Sequence, residues 1–220
     1  MLFAPQGGWL FIALAPLTLW TPFRAAILGD RDGEAFRKAV LWAILLSIGL
    51  IVFTRLFPER SAENIVRGAT YRAEMYTWIE TGGGKEGDWH RFLPEHALHL
   101  GLFVFLALVS AGYAGLALGA GLMGYMNYFV ASAMSASSRP WETLSAAWFP
   151  WSACRVLAYI AFGVLLARPL LRRSGWPYES RHARWFLLAT IGLVLDVLLK
   201  IFLAPAFRDR LHELVTTAVR

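Results

Sequence analysis

Cysteine is almost absent from this sequence, which has a single one, Cys154, in 220 residues. A lone cysteine cannot form a disulfide within the chain, which excludes the small scaffolds that disulfides hold together. The chain also lacks an N-x-S/T glycosylation motif. Residues 1–23 contain no charge, so no positively charged segment precedes the first apolar run, and we do not expect a cleaved signal peptide.

Charge is the second scarcity. Only 16% of the residues are charged and 57% are hydrophobic, whereas soluble domains have about 25% charged residues. This composition excludes one soluble globular core and predicts a polytopic membrane protein. The net charge of +6 would favour nucleic acid in a soluble protein. Here the basic residues lie between apolar runs, where they orient spans and contact anionic lipid, so we expect membrane lipid and no nucleic acid as a partner.

Long apolar runs are what the sequence has in abundance. Residues 95–134 carry one formal charge, Glu95, and as a single helix they would be about 60 Å long, twice the hydrocarbon core of a bilayer. We therefore predict two spans that turn near Gly112–Gly115. The fold class that follows is an all-α transmembrane bundle, a single transmembrane domain over residues 1–220. Its six spans lie at about 9–23, 39–57, 96–112, 116–134, 150–167 and 185–204. There are five if the proline-interrupted run 9–23 lies in the interface.

Amphipathic helices are expected outside the spans. In the loop 58–94, apolar side chains recur at helical spacing across 61–80, from Ala62 to Tyr76. A similar stripe follows Pro205, which we expect to end the last span. Both segments are typical of interfacial helices that lie on the membrane or cap the bundle.

Positive charge in the short loops sets the expected orientation. Loop 168–184 has five basic residues and one acid, whereas loop 58–94 has five basic residues and six acids. We therefore place 168–184 in the cytoplasm and 58–94 outside, in a multi-pass protein of the cytoplasmic (inner) membrane.

Six polar residues lie within or at the ends of the predicted spans, where polar and ionisable groups are costly and are candidates for function. They are His96, His99, Asn127, Arg155, Asp196 and Lys200. At 1.5 Å per residue, Arg155 is about 8 Å below Pro150 and Asp196 is about 12 Å below Ala204, and all six fall in the outer half of the membrane. We therefore predict a polar cavity in the outer leaflet, with these six as substrate-binding residues.

The charged members of this set also have structural interpretations. Asp196 can neutralise Lys200, four residues further along the same helix. Alternatively, Asp196 pairs with Arg155 between two helices, since a lone buried charge is costly.

The remaining members have simpler interpretations as well. Asn127 can hydrogen-bond between helices. His96 and His99 share a helix face with Glu95 and could offer metal ligands. This spacing is a weak pattern, so we expect no metal and no other cofactor.

The layout resembles that of rhomboid intramembrane proteases, which implies six spans, a long first outer loop with amphipathic helices, and histidines at the start of a span. The nucleophile motif of that family, GxSG, is not present. The corresponding stretch reads GAGLMGYMNY, and the predicted last span has no histidine. The resemblance therefore covers the layout and not the catalytic residues.

The sequence is compatible with two functions. In the first, the protein is a transporter, a substrate-binding component or a subunit of a membrane complex, and Arg155 and Lys200 attract an anionic group while Asp196 holds Arg155. In the second, it is an intramembrane hydrolase or transferase that acts on a lipid or peptide at the outer face, with His96 or His99 as general base. We prefer the first, because no nucleophile–base pair has diagnostic spacing. The second requires a histidine within reach of Asp196, or in a cavity shared with Arg155.

Overall fold

The computed structural model of this protein describes residues 6–172 and 180–216. In these residues the chain forms ten helices and no strand. The helices are α1 (Gln6–Leu14), α2 (Leu17–Leu28), α3 (Asp32–Leu56), α4 (Pro58–Asn64), α5 (Gly68–Thr81), α6 (Trp89–Val109), α7 (Tyr113–Ser135), α8 (Pro140–Ala147), α9 (Pro150–Arg172) and α10 (Ser180–Thr216). Six stretches are long and apolar enough to cross a membrane: Gly7–Leu28, Asp32–Leu56, Trp89–Val109, Tyr113–Ser135, Pro150–Arg172 and His182–Val215. The predicted fold class, an all-α multi-pass membrane bundle, is confirmed.

Helices α7 and α9 form the centre of the bundle. In each of them 56% of the apolar segment is buried, compared with 17% in α6 and in α10. Small residues allow close packing at the centre. A β-carbon at Gly115 on α7 would lie 3.1 Å from the β-carbon of Ala107 on α6, so a larger residue there would push these helices apart. The side chains that face the interior of α7 and α9 are therefore the ones that can build a site.

The first span is kinked. Pro16 has no N–H with which to continue the helical hydrogen bonds, and α1 and α2 meet at this residue. Tyr113, at the start of α7, donates its hydroxyl to the carbonyl of Ala13 beside the kink, at 2.6 Å. The run 9–23, which was compatible with a span or an interfacial segment, thus lies inside a helical stretch that is long and apolar enough to cross the membrane.

Two helices, α4 and α5, replace the single helix predicted over 61–80. The helix breaks at Arg67, whose backbone is left-handed with φ 62°. Beyond the break, the buried face of α5 includes Met75 and Trp78, whereas Ala73 of the predicted apolar stripe is exposed. The buried face packs on α7 and α10. Helix α5 therefore caps one end of the bundle, which we call the α5 end.

The last helix is longer than expected, because α10 continues through Pro205 and does not end there. Its 37 residues make a helix about 55 Å long, well beyond the thickness of a hydrocarbon core. Leu211 and Leu214 in its final turns are fully buried, where α10 packs against α8 and α5. The apolar stripe predicted for the tail thus contacts the protein itself, at the α5 end.

Candidate functional site

A polar cavity lies at the α5 end, between α5, the loop 82–88, α6, α7, α9 and α10. Its volume is about 40 Å³, room for about two to four water molecules at roughly 10–15 Å³ each. Four cations and three carboxylates line it: Arg67, Lys85, Arg155, Lys200, Glu74, Glu86 and Glu95. A ligand of more than a few atoms fits only if some of these side chains move apart.

The centre of the site is a buried ion pair between α9 and α10. Arg155 Nε and Nη2 donate to Asp196 Oδ2 and Oδ1, each at 2.8 Å. Asp196 is only 1% exposed, and this two-point contact fixes the orientation of both side chains. Neither bond uses Nη1, and Arg155 lines the polar cavity, so the guanidinium keeps donors for a ligand. Of the two interpretations of Asp196, the interhelical pair with Arg155 is the one that forms.

His96 contacts the same carboxylate. Its Nε2 lies 3.5 Å from Asp196 Oδ2, and among the described residues neither ring nitrogen has a hydrogen-bond partner. Because α6 begins at Trp89, His96 lies two turns inside the helix. His99, one turn further, also lines the cavity. A histidine therefore lies close to Asp196 in a cavity shared with Arg155, which is the arrangement that the enzyme interpretation requires.

Lys200 is the second buried cation of the site. It follows Asp196 by one turn on α10 and is 1% exposed. Its ammonium group does not pair with Asp196. Instead Nζ lies 2.8 Å from Glu86 Oε2, in the loop between α5 and α6, and 4.3 Å from the centre of the Phe92 ring. A cation over an aromatic face adds to the attraction when water is excluded. Lys200 thus depends on a loop residue for its counter-ion, whereas Arg155 has its own on a helix.

The rim of the cavity is held by weaker pairs. Glu95 lies 3.0 Å from Lys85 and 3.8 Å from Arg67, and both cations are nearly half exposed. Exposed pairs of this kind contribute about 0–1 kcal/mol. The rim can therefore open at little cost, whereas the Arg155–Asp196 pair is fixed.

Neutral donors complete the lining. The rings of Tyr71 on α5 and Tyr125 on α7 lie 4.7 Å apart, and both line the cavity. Burial raises the pKa of the Tyr71 hydroxyl well above its usual value, so this group stays protonated and can donate. Ser152, one turn before Arg155 on α9, lines the cavity as well. Cationic and neutral donors together favour a ligand rich in hydrogen-bond acceptors.

Asn127 lies apart from this cavity. Its Nδ2 donates to Ser47 Oγ on α3 at 3.1 Å and to the Met123 carbonyl at 2.9 Å, and the residue borders an apolar groove between α3, α7 and α9. The six predicted residues therefore divide. The cavity is lined by His96, His99, Arg155 and Lys200, whereas Asp196 lies behind the guanidinium of Arg155 and Asn127 lies elsewhere.

A second cluster of ionisable residues lies at the opposite end of the bundle, where ligand atoms of the exposed Asp30 and the buried Asp32 and His182 are within 4.8 Å of one another. This spacing would suit a metal ion. However, Arg168 contacts both carboxylates, Asp30 at 2.7 Å, and Arg172 contacts Asp30 at 2.5 Å. Two guanidinium groups beside the carboxylates would repel a divalent cation. We interpret this cluster as an ion-pair network that joins the start of α3 to the end of α9.

Sequence reasoning missed the contribution of the loop 58–94. Glu86, Tyr71, Arg67 and Lys85 all come from this loop, whose charges were used only to predict orientation. The surplus of acids there was a signal that carboxylates are available at this end of the bundle. No local pattern identifies Glu86 as the partner of a lysine more than 100 residues away.

No protein-family model, no curated protein and no solved structure matches this chain. Function is therefore argued from the site alone. The site has a fixed guanidinium with unused donors, a buried ammonium paired to a loop carboxylate, and a histidine beside an aspartate. It can bind an anionic group, and it can hold a few water molecules next to a potential base.

Proposed function

We propose that the protein binds an anionic group in the polar cavity, as a transporter or a substrate-binding component of the membrane. The observation that carries the proposal is the geometry of Arg155. Asp196 holds two of its nitrogens, and the third, Nη1, takes no part in the pair while the side chain lines the cavity. A guanidinium that is already oriented loses little further freedom when it binds a carboxylate or phosphate oxygen.

The charge of the lining supports an anion over a cation. The four cations face three carboxylates, because Asp196 lies outside the cavity surface. One of those carboxylates, Glu86, already lies against Lys200 at 2.8 Å. We propose that the acidic group of the ligand takes the place of Glu86 when the loop 82–88 moves, so that Arg155 and Lys200 bind it together.

The membrane position follows from the loop charges. With 168–184 in the cytoplasm, the α5 end faces outward, and the cavity lies in the outer leaflet of the inner membrane. We propose membrane lipid, and further membrane-protein subunits, as the partners of this component.

Binding of inorganic phosphate and of dioleoyl phosphatidic acid by the purified full chain tests the proposal. Trp151 lines the cavity, so its fluorescence is a suitable readout. The variant Arg155→Gln removes a charge-assisted contact of about 1.5–3 kcal/mol, which corresponds to a roughly 10- to 150-fold weaker affinity. The matched control is Arg60→Gln, at an exposed site on α4. Equal affinity of both variants and the wild type would show that Arg155 binds no anion.

An intramembrane enzyme is the second candidate, and the contact of His96 with Asp196 at 3.5 Å favours it. Because Nε2 is the nitrogen nearest the carboxylate, Nδ1 would be the proton acceptor. Nδ1 is buried without a hydrogen-bond partner, so the ring has to turn toward the cavity before Nδ1 takes a proton from a water molecule. The water oxygen would attack an ester, and the proton would pass to the departing alcohol. Arg155 would stabilise the negative charge that develops on the ester oxygen.

Turnover separates the two candidates. The enzyme interpretation predicts that the purified chain releases a product from liposomes of phosphatidylethanolamine, phosphatidylglycerol and cardiolipin, or from a peptide presented at the membrane surface. Mass spectrometry detects the product. His96→Gln should abolish release, and His90→Gln, at an exposed position, should not. Binding without any product supports the first proposal.

A further inference from the structure

A lateral cleft separates α6 from α10. Both helices pack on α9 but hardly on each other, so α9 forms the floor of the cleft. Its walls are mostly apolar, with Leu93, Ala97 and Leu100 on α6 and Val194 and Val197 on α10. The cleft has a volume of about 380 Å³ and opens toward the position of the lipid chains.

The floor of this apolar cleft is charged. Arg155 and Tyr159 on α9 line it, flanked by His96 on α6 and Asp196 on α10. Of these four residues, His96 and Arg155 also line the polar cavity. The Arg155–Asp196 pair is therefore a shared wall, with the polar cavity on one side and the lipid-facing cleft on the other. Charges that face hydrocarbon are costly, and an occupant that brings polar atoms to this wall would reduce that cost.

We infer that the cleft holds an acyl chain of an anionic amphiphile whose headgroup is bound at Arg155. The inference rests on the proposed function and assigns the ligand class: a lipid-like molecule with an acidic headgroup, not a free anion. The α6 wall from Leu93 to Leu100 is about 10 Å long, and its apolar residues follow one helical stripe. His96 lines both the cavity and the cleft and lies 3.5 Å from Asp196. Its side chain therefore has to turn aside for one ligand to place its headgroup among the cations and its acyl chain between α6 and α10.

The charge at the base of the cleft favours an acyl chain over a partner helix. A helix in the cleft would leave Arg155 and Asp196 without a further polar partner, and charged groups against hydrocarbon are costly. The headgroup of an amphiphile supplies acceptor atoms for Arg155, while its acyl chain covers the apolar walls.

Photolabelling locates the bound acyl chain directly. The full-length protein is placed in phosphatidylcholine nanodiscs that contain a phosphatidic acid with a diazirine in one acyl chain. Labelled peptides are identified by mass spectrometry. We expect labelling of 93–100 and 193–198 to be several-fold higher than labelling around Ile48 and Val52, which are exposed apolar residues on α3. Unlabelled dioleoyl phosphatidic acid should compete, and so should inorganic phosphate, which takes only the headgroup position.

Variants distinguish the cleft from the cavity. Ala97→Phe fills the cleft at an exposed position and should lower cleft labelling several-fold while inorganic phosphate still binds as in the wild type. The control Leu98→Phe, one residue along on the exposed face, should change neither cleft labelling nor phosphate binding. Arg155→Gln should lower both cleft labelling and phosphate binding.

The inference would be overturned if labelling of the cleft is no higher than labelling on α3, which is also the result that a partner helix in the cleft would give. It would equally be overturned if Ala97→Phe leaves the labelling of the cleft unchanged. If phosphate binding still depends on Arg155 in that case, the proposed function stands and only the assignment of the chain fails. If Arg155→Gln changes neither phosphate binding nor labelling, the proposed function itself fails.

Discussion

The most informative perturbation of this protein is to remove the Asp196 carboxylate, first alone and then together with the guanidinium of Arg155. Asp196 is 1% exposed and takes two hydrogen bonds from Arg155. Asp196→Asn leaves a buried guanidinium without a counter-ion, which costs about 3–5 kcal/mol. For a chain of 150–250 residues, 1 kcal/mol corresponds to about 2–4 °C in Tm, so we expect a fall of roughly 6–20 °C.

The double variant Arg155→Met with Asp196→Leu should be far less destabilised than Asp196→Asn. It removes both charges and fills the space with side chains of similar length, and such replacements of buried pairs are often neutral or stabilising, by about 1–4 kcal/mol. We therefore expect its Tm to lie near the wild-type value. Its binding of inorganic phosphate should nevertheless be lost, because Nη1 of Arg155 is gone. Recovery of stability without recovery of binding is the result that only a ligand-binding arginine gives.

The assay is thermal unfolding in detergent, followed by the fluorescence of the ten tryptophans. The wild type, Asp196→Asn, Arg155→Met and the double variant form a double-mutant cycle. A strong coupling between the two positions is expected. The pair is not a buried contact if Asp196→Asn lowers the free energy of unfolding by less than about 1 kcal/mol. The same conclusion follows if the double variant is less stable than each of the two single variants. If the double variant binds phosphate as well as the wild type, the proposed site is wrong.

Three further perturbations test other parts of the arrangement. Glu86→Gln should strengthen phosphate binding measured by calorimetry, since Lys200 loses a competing carboxylate; unchanged or weaker binding would contradict the displacement of this loop group. Asn127→Leu should leave phosphate binding unchanged, because Asn127 borders a different groove, and a clear loss of affinity would place it in the site after all. Gly115→Leu should lower the free energy of unfolding by about 1–3 kcal/mol through overpacking. The control Gly119→Leu should not, because a β-carbon at this position would have open space around it. Equal Tm values of the two variants in thermal unfolding would argue against the close contact of α6 and α7.

The fold class could be predicted from the sequence because the length of an apolar run is a local property. The scarcity of charge in 95–134 was enough to require two helices. The details that escaped prediction depend on tertiary contacts. The left-handed backbone of Arg67 breaks a segment whose apolar spacing is helical throughout. Pro205 stays within α10 because the turns beyond it are held by buried Leu211 and Leu214.

The candidate site was only partly predictable for a similar reason. Arg155, Asp196 and Lys200 stand out in the sequence as rare charges inside apolar runs. Which of these charges form a pair depends on the rotation of α10 about its axis. From the sequence, Asp196 could pair equally well with Lys200, four residues further along the helix, or with Arg155 on another helix. The position of Glu86 depends on how a glycine-rich loop crosses the bundle, which has no counterpart in a local pattern.

The role of the Arg155–Asp196 pair can be judged from what else joins its two helices. Helices α9 and α10 share the most extensive helix–helix contact of the described chain, and a β-carbon at Gly192 on α10 would lie 3.0 Å from the β-carbon of Ala158 on α9. These helices are already in close contact without the ion pair. A buried pair is also weak evidence for stability, since apolar side chains of similar volume often stabilise as well or better. The ligand that we propose, with a charged and an apolar part, would instead account for a guanidinium that lines both a polar cavity and an apolar cleft.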